Sequence, residues 1–157
     1  RSVQGASDLS WLAISSGRRL GDNEFFGGTI YFFEKTGATT WTWVTPSVSS
    51  PASTPTPAYG WRVTDMTPDG TRVVVTDTNE DSGVGSAWIY LRTGSEWLLE
   101  QEVQPDGAHT NVVAFGGIAR LSSAGDRLLV SSKEIFEAAE ARDFFAPQTE
   151  AARNGWC

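Results

Sequence analysis

The sequence predicts a mainly β protein made of antiparallel four-stranded propeller blades, about two and a half of them in an incomplete ring, with a C-terminal helical tail. Three observations predict this. The stretch from Tyr59 to Val103 holds four apolar or alternating runs: Trp61 to Met66, Arg72 to Asp77, Ala87 to Arg92 and Trp97 to Val103. Turn formers separate them, at Pro68-Asp69-Gly70, Asp81-Ser82-Gly83-Val84-Gly85 and Thr93-Gly94-Ser95. Four strands joined by tight connections form a meander, the unit of a propeller blade. Second, parts of this stretch recur. Ser10-Trp11-Leu12-Ala13-Ile14-Ser15 moved forward by 61 residues falls on Thr71-Arg72-Val73-Val74-Val75-Thr76, and Asp69-Gly70-Thr71-Arg72-Val73 moved by 55 falls on Ala124-Gly125-Asp126-Arg127-Leu128. Third, the β pattern stops at Lys133, where a glycine-free run of helix formers begins. Blade one therefore spans 1–60, including a Ser/Thr/Pro-rich loop at 45–57. Blade two spans 61–116, the first half of blade three 117–132, and the helical tail 133–157.

In chain order, Ser2-Val3-Gln4 is a weak first strand, followed by a turn at Ser7-Asp8-Leu9. Strands at Trp11–Ser16, Thr29–Glu34 and Trp41–Val44 complete blade one, with Thr36-Gly37-Ala38 as a hairpin turn. Trp41 and Trp43 lie two apart on a strand and share one face, expected to be buried between blades. Ser47 to Pro57 is read as an extended surface loop, because proline lacks the amide donor of a central strand. Thr45, Ser50, Thr54 and Thr56 each precede a proline, the composition of O-glycosylated stalks, and are candidate O-glycosylation sites; the alternative is an unmodified connection. Blade three begins with strands at Ile118–Ser122 and Arg127–Ser132. Lys133 to Phe145 is read as a helix that ends ahead of Pro147, with a short further turn through Thr149 to Arg153. Its Ile135 and Phe136, with Ala139 and Phe145, are placed to cap the apolar flank of the third blade.

The 157 residues include 12 basic and 19 acidic side chains, a net charge of −7, which offers no basic face to a phosphate backbone. Nucleic acid is therefore not an expected partner. No run of about 18 apolar residues is present, so no transmembrane segment is expected. The only cysteine is Cys157 and the only histidine is His109, in a polar loop, so neither a disulfide framework nor a cysteine or histidine metal cluster is available. Neither a nucleophile elbow nor a phosphate loop occurs, and no carboxylate pair stands out by its spacing for acid–base work. The chain is read as noncatalytic. Trp41, Trp43, Trp61, Trp88 and Trp97 recur at strand positions from blade to blade, as packing between blades requires; a sugar-stacking platform is the alternative.

These residues carry a family likeness. Tyr59-Gly60, Thr67-Pro68-Asp69-Gly70, Val73-Val74-Val75, Asp77 to Asp81, Gly83-Val84-Gly85, Trp88-Ile89-Tyr90, Thr93-Gly94 and Trp97 resemble the FG-GAP repeat of integrin-alpha-like beta-propellers. The likeness spans roughly residues 1 to 132, although Val75-Thr76-Asp77 stands where that family has its Gly-Ala-Pro turn. It implies a structural, protein-interaction module that assembles with other copies of itself or with larger partners, in an extracellular or secretory-pathway setting. It also implies a candidate Ca2+ site at Asp77, Asn79 and Asp81, where oxygen-bearing side chains alternate along a loop before Gly83. The alternatives are a solvated acidic hairpin loop at that position and, for the whole chain, a calcium-dependent or carbohydrate-binding adhesion domain.

Overall fold

The computed structural model describes residues 2–20, 24–49, 62–79, 83–105 and 112–134. Strands β1 (Ser2–Gly5), β2 (Trp11–Leu20), β3 (Glu24–Lys35) and β4 (Trp41–Ser49) form a first antiparallel sheet in the order β1-β2-β3-β4. Strands β5 (Arg62–Met66), β6 (Arg72–Asp77), β7 (Ser86–Thr93) and β8 (Glu96–Val103) form a second in the same sequential order. Beyond them β9 (Val112–Val113) pairs with β12 (Lys133–Glu134), and β10 (Ala119–Leu121) with β11 (Leu128–Val130). The protein is thus mainly β, its four-stranded sheets are antiparallel meanders, and helix is nearly absent among the described residues.

One turn recurs three times and accounts for the sequence repeat. The backbone N–H groups of Ala6, Thr67 and Ser122 donate to the carbonyls of Trp11 (3.0 Å), Arg72 (2.9 Å) and Arg127 (2.9 Å). Three residues into each turn, Leu9, Gly70 and Gly125 donate back to the carbonyls of Ala6, Thr67 and Ser122, each at 2.9 Å. All three adopt positive φ, at 56°, 65° and 71°. Side chains fix the remaining donors. Asp8 Oδ1 accepts the Ser10 N–H (2.8 Å) and Asp69 Oδ1 the Thr71 N–H (3.0 Å), while Thr67 and Ser122 hydroxyl oxygens accept the N–H of Arg72 and Arg127. The turns also stack alike. A Cβ on Gly70 would lie 3.2 Å from Ala6 Cβ and Trp11 Cβ, and one on Gly125 would lie 3.2 Å from Thr67 Cγ2 and 2.8 Å from Arg72 Cδ. Thr67 and Arg72 are the 61-residue counterparts of Ala6 and Trp11, so the second unit meets the third as the first meets the second.

The sheets pack face to face. Alternation along the strands sends Trp11, Ala13, Ile30, Phe32 and Val44 of the first sheet against Val63, Met66, Val73, Val75, Trp88, Tyr90 and Trp97 of the second. Trp97 stacks on Phe32 at 4.2 Å and meets Trp11 edge-on at 6.0 Å. The other face of the second sheet, through Val74 and Ala87, packs on Ala119, flanked by Phe115, Leu121, Leu128 and Val130. With both faces covered, Val73, Val74 and Val75 are all fully buried, which is why the middle of β6 is an unbroken apolar run. β1 lies beside β5, and β5 beside β10, so the first strands of the three units gather on one side.

Gly85 and Gly116 hold the Ala114–Gly116 segment, which leads into the third unit, against the second sheet. The N–H groups of Ala114 and Phe115 donate to the carbonyls of Gly83 and Val84, each at 2.8 Å. A Cβ on Gly85 would collide with the Phe115 carbonyl, and one on Gly116 would lie 2.8 Å from Thr76 Cβ. Glycine is required at both positions, by close approach and by φ of 94° and 88°.

Three expectations are corrected. β4 does not stop at Val44 but continues through Pro46 to Ser49, taking the first residues of the expected loop; the register slips between Ile30 and Phe32 and resumes at Ile30 opposite Val48. Pro46 is tolerated because β4 pairs on one side only, among the described residues. Lys133 and Glu134, placed at the start of the helix, pair instead with Val113 and Val112. The rest of the predicted tail lies outside the described residues, as do residues 50–61. Finally, the face carrying Trp41 and Trp43 is not the one covered by the second sheet: Trp43 is 52% exposed.

Candidate functional site

The ladder registers define what the outer face of the first sheet presents. Leu12 lies opposite Phe33 and Phe33 opposite Trp43; Ile14 lies opposite Tyr31 on one side and Val3 on the other. These residues share the face turned away from the core, with Trp41 beside Lys35 at its margin. Tyr31 and Trp43 meet edge-on at 5.9 Å. Val3 and Trp43 are more than half exposed, and the others are partly covered. At the opposite end of the stack Leu129, paired with Arg120, is 72% exposed. Trp88 and Trp97 sit in the core between the sheets instead. Trp61, Ile135 and Phe136 lie outside the described residues.

The acidic loop has a different character. Asp77 ends β6 opposite Ser86 and is 2% exposed, so it is not the solvated carboxylate that a surface hairpin would carry. Its Oδ1 accepts the Asn79 N–H at 2.9 Å, closing a turn locally. Burial raises its pKa above the ordinary carboxylate value, opposed by the Asn79 hydrogen bond and the positive charge of Arg62. Asp81 lies outside the described residues, so of the three candidate ligands Asp77 and Asn79 are seen together. Among the described residues no three His, Cys, Asp or Glu side chains converge.

A cleft of about 520 Å³ opens where β10 and β11 leave the outer part of the second sheet uncovered. Ile89, Gln101 and Val103 line it from the sheet, Leu128 and Val130 from β11, and Phe115 from the segment ahead of β10. Arg72 and Glu100 stand at its wall as a bidentate pair, with Nε to Oε2 at 2.8 Å and the second contact at 2.9 Å. This pair holds the Glu100 carboxyl below its usual range. Arg92 has a structural role: its guanidinium lies 4.5 Å over the Trp11 ring and donates to the Gly70 carbonyl at 2.9 Å. Thr45 is exposed on β4, whereas Ser50, Thr54, Thr56, His109 and Cys157 lie outside the described residues.

Comparison with family models, with curated proteins and with solved structures returns no match. Val3 and Leu129 were missed as candidate contact residues. The 61- and 55-residue offsets could have flagged Leu129, since they align it with Ala13 and Val74.

Proposed function

We propose that the chain is a noncatalytic structural and protein-interaction module, built of FG-GAP-like propeller blades and acting in assembly with other proteins of its own or another kind, in an extracellular or secretory setting. The observation that carries this reading is the repetition. The same turn and the same face-to-face packing recur at each step along the chain, and among the described residues an apolar face carrying Val3 and Trp43 is turned outward at one end of the stack and Leu129 at the other. A contiguous uncovered apolar face marks an interaction surface. The test is the mass and composition of the native particle, by light scattering and mass spectrometry on material from its source. The reading expects a particle heavier than one 17.0 kDa chain. A lone chain would sink it.

A second reading, a calcium-dependent adhesion domain, draws on the buried Asp77 carboxylate at the mouth of an acidic loop. It expects a chelator to lower the melting temperature and calcium to restore it. Equal melting with and without chelator would remove it.

A further inference from the structure

We propose that the chain associates head to tail with a second copy of itself, the Leu129 end of one copy packing on the Val3 face of the next. The proposal rests on the assembly reading above and names the partner and both surfaces. Its basis is a contact that the chain makes twice and then leaves in halves. Ala13, Val74 and Leu129 each stand two residues beyond the same turn. The next unit buries the first two completely, at 0% exposure, but Leu129 is 72% exposed. On the opposite side of each unit, Val3, Val63 and Ala119 pair with Ile14, Val75 and Val130 at equivalent ladder positions. Val63 and Ala119 are buried by the preceding unit, at 1% and 0%, and Val3 is 59% exposed. Among the described residues, the two halves of a third such contact therefore sit at opposite ends of the stack. Both are apolar, and each has the same place in the repeat as residues already buried.

A chain that carries both halves of a repeated interface is complementary to itself by a heterologous contact, which propagates head to tail rather than face to face. An unlike partner would have to reproduce a surface that the chain already possesses. The continuity of the pattern, from the first unit to the second and from the second to the third, points to a further unit of the same kind.

The test uses the whole chain with Val3→Glu, Leu129→Glu and an equimolar mixture of the two, followed by sedimentation velocity from about 1 µM to 1 mM. The parent chain is expected to gain mass with concentration. Each variant should associate at least ~100-fold more weakly, because a carboxylate would be buried without a partner. The mixture should recover pairs, since each variant keeps one intact end. Both side chains are exposed in the single chain, so at a dilution where the parent sediments as a monomer circular dichroism melting should match the parent. Val3→Ser and Leu129→Ser replace any glutamate variant that loses its spectrum. A parent that stays monomeric throughout overturns the proposal, as does a Leu129→Glu chain that associates like the parent, which would mean a face-to-face dimer. If the recombinant chain is monomeric while the native particle contains a different protein, this proposal fails and the assembly reading stands. A lone chain in native material ends both.

Discussion

Replacing Gly85 by alanine should destabilise the protein more than the same change at Gly83, and the difference measures how firmly the third unit is docked. The two glycines have nearly the same backbone strain to transmit, with φ of 94° and 99°. Forcing an L-residue there costs about 1–3 kcal/mol at either site. Their surroundings differ. A Cβ on Gly83 would meet nothing within 4 Å, whereas one on Gly85 would overlap the Phe115 backbone, with the nitrogen at 2.8 Å. Backbone cannot swing aside as a side chain can. Phe115 must move, and the bonds from Ala114 N–H to Gly83 and from Phe115 N–H to Val84 go with it. At roughly 1 kcal/mol each, they make the excess cost of Gly85→Ala about 2 kcal/mol. For a chain of this length that is a melting temperature roughly 4–8 °C below that of Gly83→Ala. Thermal unfolding followed by circular dichroism reads the difference directly. Equal melting temperatures for the two variants would refute the docking of Phe115-Gly116 against the second sheet.

Two further predictions concern the core and its rim. Trp97→Ala removes the ring that stacks on Phe32 and abuts Trp11, and should cost about 3–5 kcal/mol in urea unfolding; a loss under about 1 kcal/mol would mean that the two sheets do not pack through it. Glu100→Gln should cost only about 0.5–1 kcal/mol at pH 7, because the Arg72–Glu100 pair is roughly one-third exposed. The folded-state pKa of Glu100 is lowered from 4.5, chiefly by the Arg72 hydrogen bond. Its contribution is therefore present above that unfolded value and is lost as pH falls through the folded one. The cost of Glu100→Gln should vanish in strong acid and shrink in about 1 M salt. A cost that persists at low pH would assign it to packing.

Most of the strands were legible because their cause is local. Trp11 to Ile14 and Val73 to Val75 are short continuous apolar runs, and the turn formers between runs leave few other places for chain reversal. The weak first strand, Ser2–Gly5, has little propensity of its own; β2 holds it by pairing Val3 with Ile14 and Gln4 with Ala13. Pro46 argued for a loop on local chemistry, but an edge strand with a slipped register accommodates it. Lys133 and Glu134 look helical by composition, yet Val112 and Val113, some 20 residues earlier in the chain, claim their backbone. Propensity loses there to a long-range partner.

The sequence by itself determined the repeat, its offsets and the turn chemistry, since Asp8, Asp69 and the glycines at positions 70 and 125 act through bonds to residues close by. Which face of each sheet is covered was decided only by the tertiary structure. Alternation gives a strand two sides without saying where the next unit lies. Ala13 and Leu129 occupy the same place in the repeat, and one is sealed while the other is bare. Asp77 looks like a loop carboxylate in the sequence, and packing around the end of β6 places it in the interior. The residues that cover Ala13 lie dozens of places along the chain, so burial belongs to the assembled stack and cannot be read from the strand alone.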